Sequence, residues 1–248
     1  MTVRSVVLGS LLAALGTPVP AAAQGKLLHH AIDRQTGSIV RVFQTGDGAR
    51  VELESPSLKI TREAAGARVT TTLTDAAGVV SVTYDRRTLT VKTPAGRVSA
   101  TPQQTARMEQ ARRLVANAPV TGRAAALIER LGFGADTPVL PLLLTTRTFL
   151  AAVSGRTAPR DLRFATPAAP PVPGLMRVSL GQQSSGTMTP TQCWNAYAKE
   201  AIEAYKEYEE CIKDKSWYEI LDNMACGAIY DMRAIGAFTW WLKCVAIN

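Results

Sequence analysis

The stretch Thr189–Asn248, TPTQCWNAYAKEAIEAYKEYEECIKDKSWYEILDNMACGAIYDMRAIGAFTWWLKCVAIN, decides how the chain is built. It holds all four cysteines (Cys193, Cys211, Cys226 and Cys244), all four tryptophans and five of the six tyrosines. Cys193 and Cys211 lie 18 residues apart, as do Cys226 and Cys244. Eighteen residues make about five helical turns, so each pair falls on one face of a helix with its members about 27 Å apart. A disulfide needs Cα atoms within about 7 Å, which excludes a bridge inside either helix. Pairing Cys193 with Cys226 and Cys211 with Cys244 requires parallel helices, whereas a short connection makes neighbouring helices antiparallel. The remaining pairing of the three is a nested ladder, Cys193–Cys244 and Cys211–Cys226.

Helix signals agree with the ladder. Thr189-Pro190-Thr191-Gln192 reads as a capping box with proline at the first helical position. Trp194, Ala198, Ala201, Tyr205, Tyr208 and Ile212 then recur at three-four spacing, with Lys199, Glu200, Glu203, Lys206, Glu207 and Glu210 on the other side. A turn is expected somewhere in 214–222. The second helix is more apolar, and from Met224 onward its charges are Asp231, Arg233 and Lys243. A core helix is favoured over a membrane-active one, because Gly227 and Gly236 interrupt the run and two of the charges sit mid-segment.

The opposite end of the chain predicts a destination in which such bridges form. Residues 1–23 read as an export signal. Arg4 supplies the positive region, Val6 to Leu15 the apolar run, and Ala21-Ala22-Ala23 a cleavage site before Gln24. Export to a periplasmic or extracellular location suits the disulfide ladder. Residues 24–37 are expected to form an N-terminal arm carrying the two histidines, His29 and His30. Charge is uneven along the rest: residues 24–189 hold 21 Lys and Arg against 11 Asp and Glu, and residues 190–248 hold 6 against 9.

Between these ends, residues 38–155 read as one α+β unit, an antiparallel β-meander followed by three helices. Strands are expected over Ser38–Phe43, Arg50–Glu54, Ser57–Thr61, Arg68–Thr74, Val79–Tyr84 and Arg87–Lys92, alternating apolar with polar and separated by turn residues. The period then lengthens. Thr101-Pro102-Gln103-Gln104 repeats the capping-box pattern ahead of a helix through Met108, Ala111, Leu114 and Val115. A second runs through Ala124, Leu127, Ile128 and Leu131 to Gly132. A third, opened by Thr137-Pro138 and carried through Leu142, Leu143 and Phe149 to Val153, is the expected central core helix. Residues 156–188 read as a proline-rich linker ahead of the separate hairpin at 189–248.

The sequence points to no catalytic constellation. With histidine confined to 29 and 30, Ser-His-Asp and Cys-His catalysis both depend on the N-terminal arm, and neither a zinc spacing nor a Cys-x-x-Cys redox pair is present. No phosphate loop or dinucleotide fingerprint appears, so neither a metal nor a cofactor is expected. Glu52 and Glu54 share one strand face with Glu63 nearby, and such carboxylates are more often solvated charges than glycosidase acids.

The expected function is non-catalytic binding in a bacterial-type envelope or outside the cell. The hairpin would present aromatic residues to a partner protein or surface, with Trp194, Trp217, Tyr218, Trp240 and Trp241 as candidates. Arg86, Arg87, Arg107, Arg112, Arg113, Arg156, Arg160 and Arg163 are candidates for binding anions. Acidic polymers or lipid head groups are favoured over nucleic acid, because no aromatic residues interleave with these arginines. The alternative is a precursor whose tail is released as a bacteriocin-like, membrane-active peptide masked by residues 24–188. The tail's net acidity weighs against it.

Overall fold

A computed structural model describes residues 25–46, 48–85, 87–133, 137–154, 188–213 and 224–247. Eight strands come first: β1 (Lys26–Ile32), β2 (Ile39–Thr45), β3 (Gly48–Ser55), β4 (Leu58–Ala65), β5 (Arg68–Asp75), β6 (Gly78–Asp85), β7 (Thr88–Thr93) and β8 (Gly96–Ala100). They form one antiparallel sheet in which every strand pairs with its sequence neighbours. From β2 onward the paired ends of successive strands (Thr45 with Gly48, Ser55 with Leu58, and so on to Thr93 with Gly96) are separated by two residues. Two-residue connections fix the hairpin register and favour backbone with positive φ. Gly66, at φ 54°, supplies it between β4 and β5. Eight-residue strands plus two-residue turns give β3 to β6 a ten-residue period, a regularity the strand-by-strand reading of the sequence did not extract.

The pleat sorts the sheet into two faces. On the inner face, rows of paired residues run across the strands: Val40–Leu53–Ile60–Leu73–Val80 is one, and all five side chains are buried. The outer face carries ion pairs and hydroxyls. The six expected strands are all present. The sequence reading missed β8, which is short, and β1. Residues 24–37, expected to be an arm, contain β1, paired with β2 along its length with one irregularity between Leu27 and His29. The strand turns back at Asp33, whose buried carboxylate accepts hydrogen bonds from the Thr36 N–H (2.9 Å), the Thr36 hydroxyl and the Gly132 N–H (3.0 Å). A polar six-residue connection concealed this strand from a reading that looked for short turns.

Burial pushes the Asp33 carboxyl up, but these hydrogen bonds outweigh it and hold the group below its ordinary value. A carboxylate depressed in the folded state contributes stability that is complete above its unfolded pKa and is lost as pH falls through its folded pKa. Asp33→Ala is therefore expected to cost about 2 kcal/mol at pH 7. In urea titrations at pH 7 and pH 3 the gap to wild type should narrow at the lower pH. An equal gap at both would remove this role.

Helices α1 (Thr105–Ala116), α2 (Pro119–Glu129) and α3 (Leu140–Val153) follow. The capping box expected at Thr101 forms only in part. Gln104 Oε1 accepts the Thr101 N–H at 3.1 Å, but the helix begins after Gln104, which places no side chain on the helix N-terminus. Pro119 separates α1 from α2 and is the first residue of the second. Helix α2 ends at Glu129, short of the expected Gly132. Helix α3 is buried on nearly every side, as expected of a central helix.

The tail contributes α4 (Pro190–Ile212) and α5 (Met224–Ile247). Thr189 and Gln192 complete the capping box in both directions. The two bridges are Cys193–Cys244, with Cα atoms 5.9 Å apart, and Cys211–Cys226, at 6.2 Å. The fold is α+β with a disulfide-closed helical hairpin, and the ladder is the one the spacing predicts. The hairpin nonetheless does not stand apart from the sheet. Helices α1 and α2 cover the β4–β8 side of the inner face, α5 covers β3 to β5, and one continuous hydrophobic core runs through both parts. The expected turn at 214–222 and the linker at 156–188 fall outside the described residues, apart from Met188.

Candidate interaction surface

Helix α5 has two sides. On its buried side lie Gly227, Asp231, Ala234, Phe238 and Trp241, a four-three-four-three spacing that makes one continuous stripe. Around it the hairpin aromatics form two clusters. In the first, Trp241 meets Trp194 (ring centroids 6.0 Å), Tyr197 (5.9 Å) and Phe238 (5.7 Å), and Phe238 in turn meets His29 of β1 edge-on at 5.5 Å. In the second, Tyr230 packs on Tyr208 and Tyr205 at 5.5 and 6.0 Å. Two hydroxyls from these clusters reach the beginning of α3: Tyr197 donates to the Pro138 carbonyl (2.6 Å) and Tyr230 to the Pro141 carbonyl (2.8 Å). Burial pushes the Tyr197, Tyr208 and Tyr230 hydroxyls far above the ordinary phenol range and Tyr205 to about 12.

At the centre of the hairpin–sheet contact lies a buried ion pair. Along the sheet, Val42–Val51–Arg62–Thr71–Val82–Val91–Val98 is one row of the inner face, valine throughout except at Arg62 and Thr71. Arg62 Nε donates to Asp231 Oδ2 at 2.8 Å, Arg62 Nη1 donates to the Thr71 hydroxyl at 2.9 Å, and the Thr145 hydroxyl of α3 donates to Asp231 Oδ1 at 2.6 Å. Both charged side chains are 6% exposed. A Cβ on Gly227 would lie 3.3 Å from Arg62 Nη2, so the glycine makes room for the guanidinium. Sheet, α3 and hairpin thus meet at four side chains.

The side of α5 turned away carries Ile229, Met232, Gly236, Trp240 and Lys243, all exposed. Ile229, Met232 and Trp240 are 55%, 42% and 42% exposed, and nothing approaches a Cβ built on Gly236. From Ile229 to Trp240 this stripe carries no charge and runs about 16 Å along the helix. Beside it, Arg233 bridges to Glu200 (2.6 Å) and Glu207 of α4, tying the two helices together at their margin.

The chain matches no family model, no curated protein and no solved structure. Its surfaces have to be read from their own chemistry.

Of the five aromatic candidates, the structure buries Trp194 and Trp241 in the core, leaves Trp240 at the surface, and does not describe Trp217 or Tyr218. Periodicity alone did not separate exposed Trp240 from its buried neighbour Trp241. Among the arginine candidates, Arg112 and Arg113 both bind Glu109, at 2.8 and 2.9 Å, and Arg112 with Arg113 holds the Glu109 carboxyl down to about 2. Arg87 and Arg107 are exposed, and Arg86, Arg156, Arg160 and Arg163 lie outside the described residues. Glu52 binds Lys59 (2.9 Å) and Arg50 (3.0 Å), while Glu54 binds Arg41. These carboxylates sit in ion-paired surroundings on the outer sheet face. His29 is half-buried against Phe238, and burial, with His30 nearby, lowers its pKa. Among the described residues no group of three or more His, Cys, Asp or Glu could hold a metal ion, and no helix is long and apolar enough to cross a membrane.

Proposed function

We propose that the protein is an exported, non-catalytic interaction protein whose C-terminal hairpin grips a partner through the outer side of α5. The observation that carries this reading is the uncharged stripe of Ile229, Met232 and Trp240 on a helix whose other side is fixed in the core. Large apolar side chains grouped on a rigid element, with charge at the margins, are the usual make-up of a contact surface. A groove on the partner would take such a helix by its apolar anchors. Two disulfides fit an oxidising, non-cytoplasmic location, and export by residues 1–23 would deliver the chain there.

The stripe can be tested without touching the core. Ile229→Ser combined with Trp240→Ser should leave the thermal midpoint within about 2 °C, since exposed substitutions rarely exceed about 0.5 kcal/mol. Chemical cross-linking in the exported fraction should capture a defined partner with wild type and lose it with the double variant. Unchanged capture by the variant would refute the α5 surface.

The rival, a tail released as a membrane-active peptide, sits less well with the packing. Release would strip Asp231 from Arg62, Phe238 from His29 and the tyrosine hydroxyls from α3. Of the two residues suited to a bilayer interface, Trp240 and Trp241, the second is already used in a core shared with the sheet.

A further inference from the structure

We propose that the outer face of the sheet over β5–β8 is a binding surface for a linear anionic polysaccharide. It is a second surface, on the opposite side of the sheet from α5, and does not depend on the hairpin reading.

Two rows of side chains cross this face in register. One reads Thr61–Thr72–Ser81–Lys92–Arg97 and the other Thr70–Thr83–Thr90–Ser99. Hydroxyl groups thus repeat from strand to strand at about 4.8 Å, and successive outward residues along a strand lie about 6.7 Å apart. Hydrogen bonds between Thr70 and Thr83 (3.2 Å) and between Thr90 and Ser99 (3.0 Å) hold these side chains in an ordered layer. At one end of the first row, Lys92 and Arg97 stand directly opposite each other on adjacent strands. Both are exposed, and neither makes an ion pair among the described residues.

Like charges directly opposite each other on paired strands are destabilising, and this sheet avoids the arrangement elsewhere. Over β2–β4 each outward cation has its acid: Arg41 with Glu54, Lys59 and Arg50 with Glu52. On the outer face of β6–β8 the one described acid is Asp85, which lies 3.9 Å from Arg68. Arg107 adds a further cation at the β8 edge, its Nη1 3.5 Å from the Ser99 carbonyl. An anion supplied from outside relieves the repulsion between Lys92 and Arg97, and the hydroxyl rows beside them match the hydroxyl groups of a sugar chain.

The chemistry of the rows also selects among polyanions. They contain no aromatic side chain on which a base could stack, which disfavours single-stranded nucleic acid. They contain no apolar side chain to enter a bilayer; the nearest exposed one is Val79, at the turn end of β6. Cations flanked by an ordered hydroxyl layer suit a polymer that carries both anionic groups and hydroxyls.

The test uses the exported full-length chain and dextran sulfate as the probe, with uncharged dextran, phosphatidylglycerol vesicles and a single-stranded oligonucleotide in parallel. Wild type should bind dextran sulfate in a salt-dependent manner, and Lys92→Glu with Arg97→Glu should weaken binding by at least about tenfold. A charge-matched reversal on the hairpin, Lys199→Glu with Lys206→Glu, should weaken it less than about threefold. Thr83→Val with Thr90→Val, which removes hydroxyls and no charge, should weaken binding about threefold to tenfold. Equal losses from the two charge reversals would reduce the effect to net charge and overturn the proposal. So would stronger binding to the vesicles or the oligonucleotide than to dextran sulfate, or full binding by the threonine variant. Unaltered thermal midpoints in the variants keep misfolding out of the comparison.

Discussion

Asp231→Ala is expected to destabilise the protein by about 3–5 kcal/mol, because it leaves the Arg62 guanidinium buried and uncompensated. That is a large share of the roughly 5–15 kcal/mol that holds a domain together. The cost follows from position: Arg62 occupies an inner-face row otherwise made of valines and Thr71, and its Nε has Asp231 as its acceptor. Arg62→Ala should cost a comparable amount by stranding the carboxylate between Thr145 and the core. Urea unfolding followed by near-ultraviolet circular dichroism would measure both, since Tyr208 and Tyr230 lie beside the pair and Trp194 and Trp241 share its core. A loss below about 1 kcal/mol for Asp231→Ala would mean that Arg62 finds water when its partner is removed.

Removing both charges should behave differently. Burial pushes the Asp231 carboxyl up against the opposing pull of Arg62 and Thr145, so desolvation is the larger effect at this site. Arg62→Met combined with Asp231→Leu is therefore expected to recover wild-type stability or exceed it by about 1–4 kcal/mol. The Thr145 hydroxyl can turn back to a carbonyl one turn earlier in α3. An acid whose folded pKa is raised subtracts stability as pH rises through its unfolded and then its folded value. The double variant should lose that part of the pH dependence. What the pair confers is register: a hairpin shifted by one turn on the sheet would bury two unpaired charges.

This centre was legible in the chain, but only by combining two patterns. In β4, Leu58, Ile60, Arg62 and Ala64 alternate, so parity places Arg62 on the apolar face. In α5, Gly227, Asp231, Ala234, Phe238 and Trp241 fall on one stripe, so Asp231 is inward as well. Each charge taken alone reads as an interruption of its element, and two interruptions of opposite sign on elements 169 residues apart are a pair. The disulfide ladder was fully legible because covalent geometry admits one solution at that spacing. The strands were legible because two-residue turns punctuate them. Strand β1 was hidden by its longer polar connection at Asp33. The division between core and surface aromatics was hidden because Trp240 and Trp241 are adjacent, and the orientation of α5 on the sheet, which separates them, is a tertiary property.

Removing the outer bridge, by Cys193→Ala with Cys244→Ala, is expected to cost about 4 kcal/mol, and removing the inner one, by Cys211→Ala with Cys226→Ala, about 3 kcal/mol. The order follows from the lengths of chain they close, 51 and 15 residues. Each bridge restricts the unfolded chain chiefly by shortening its loop, and loop entropy grows with the logarithm of length. Packing points the same way at the outer end, where Cys193 is fully buried beside Trp194. At the inner end, the ion pair at Asp231 already holds α5 within two turns of Cys226. Guanidinium unfolding of the three proteins should place the outer-bridge variant lowest. The reverse order would show that native packing at the closed end, and not chain restriction, sets the contribution. Removing both bridges should cost about the sum of the two single losses, because nesting changes the outer loop's logarithmic term only slightly. The combined loss would consume most of the stability of an ordinary domain. A fold that depends on its bridges to this extent holds together where thiols are oxidised and loosens where they are reduced.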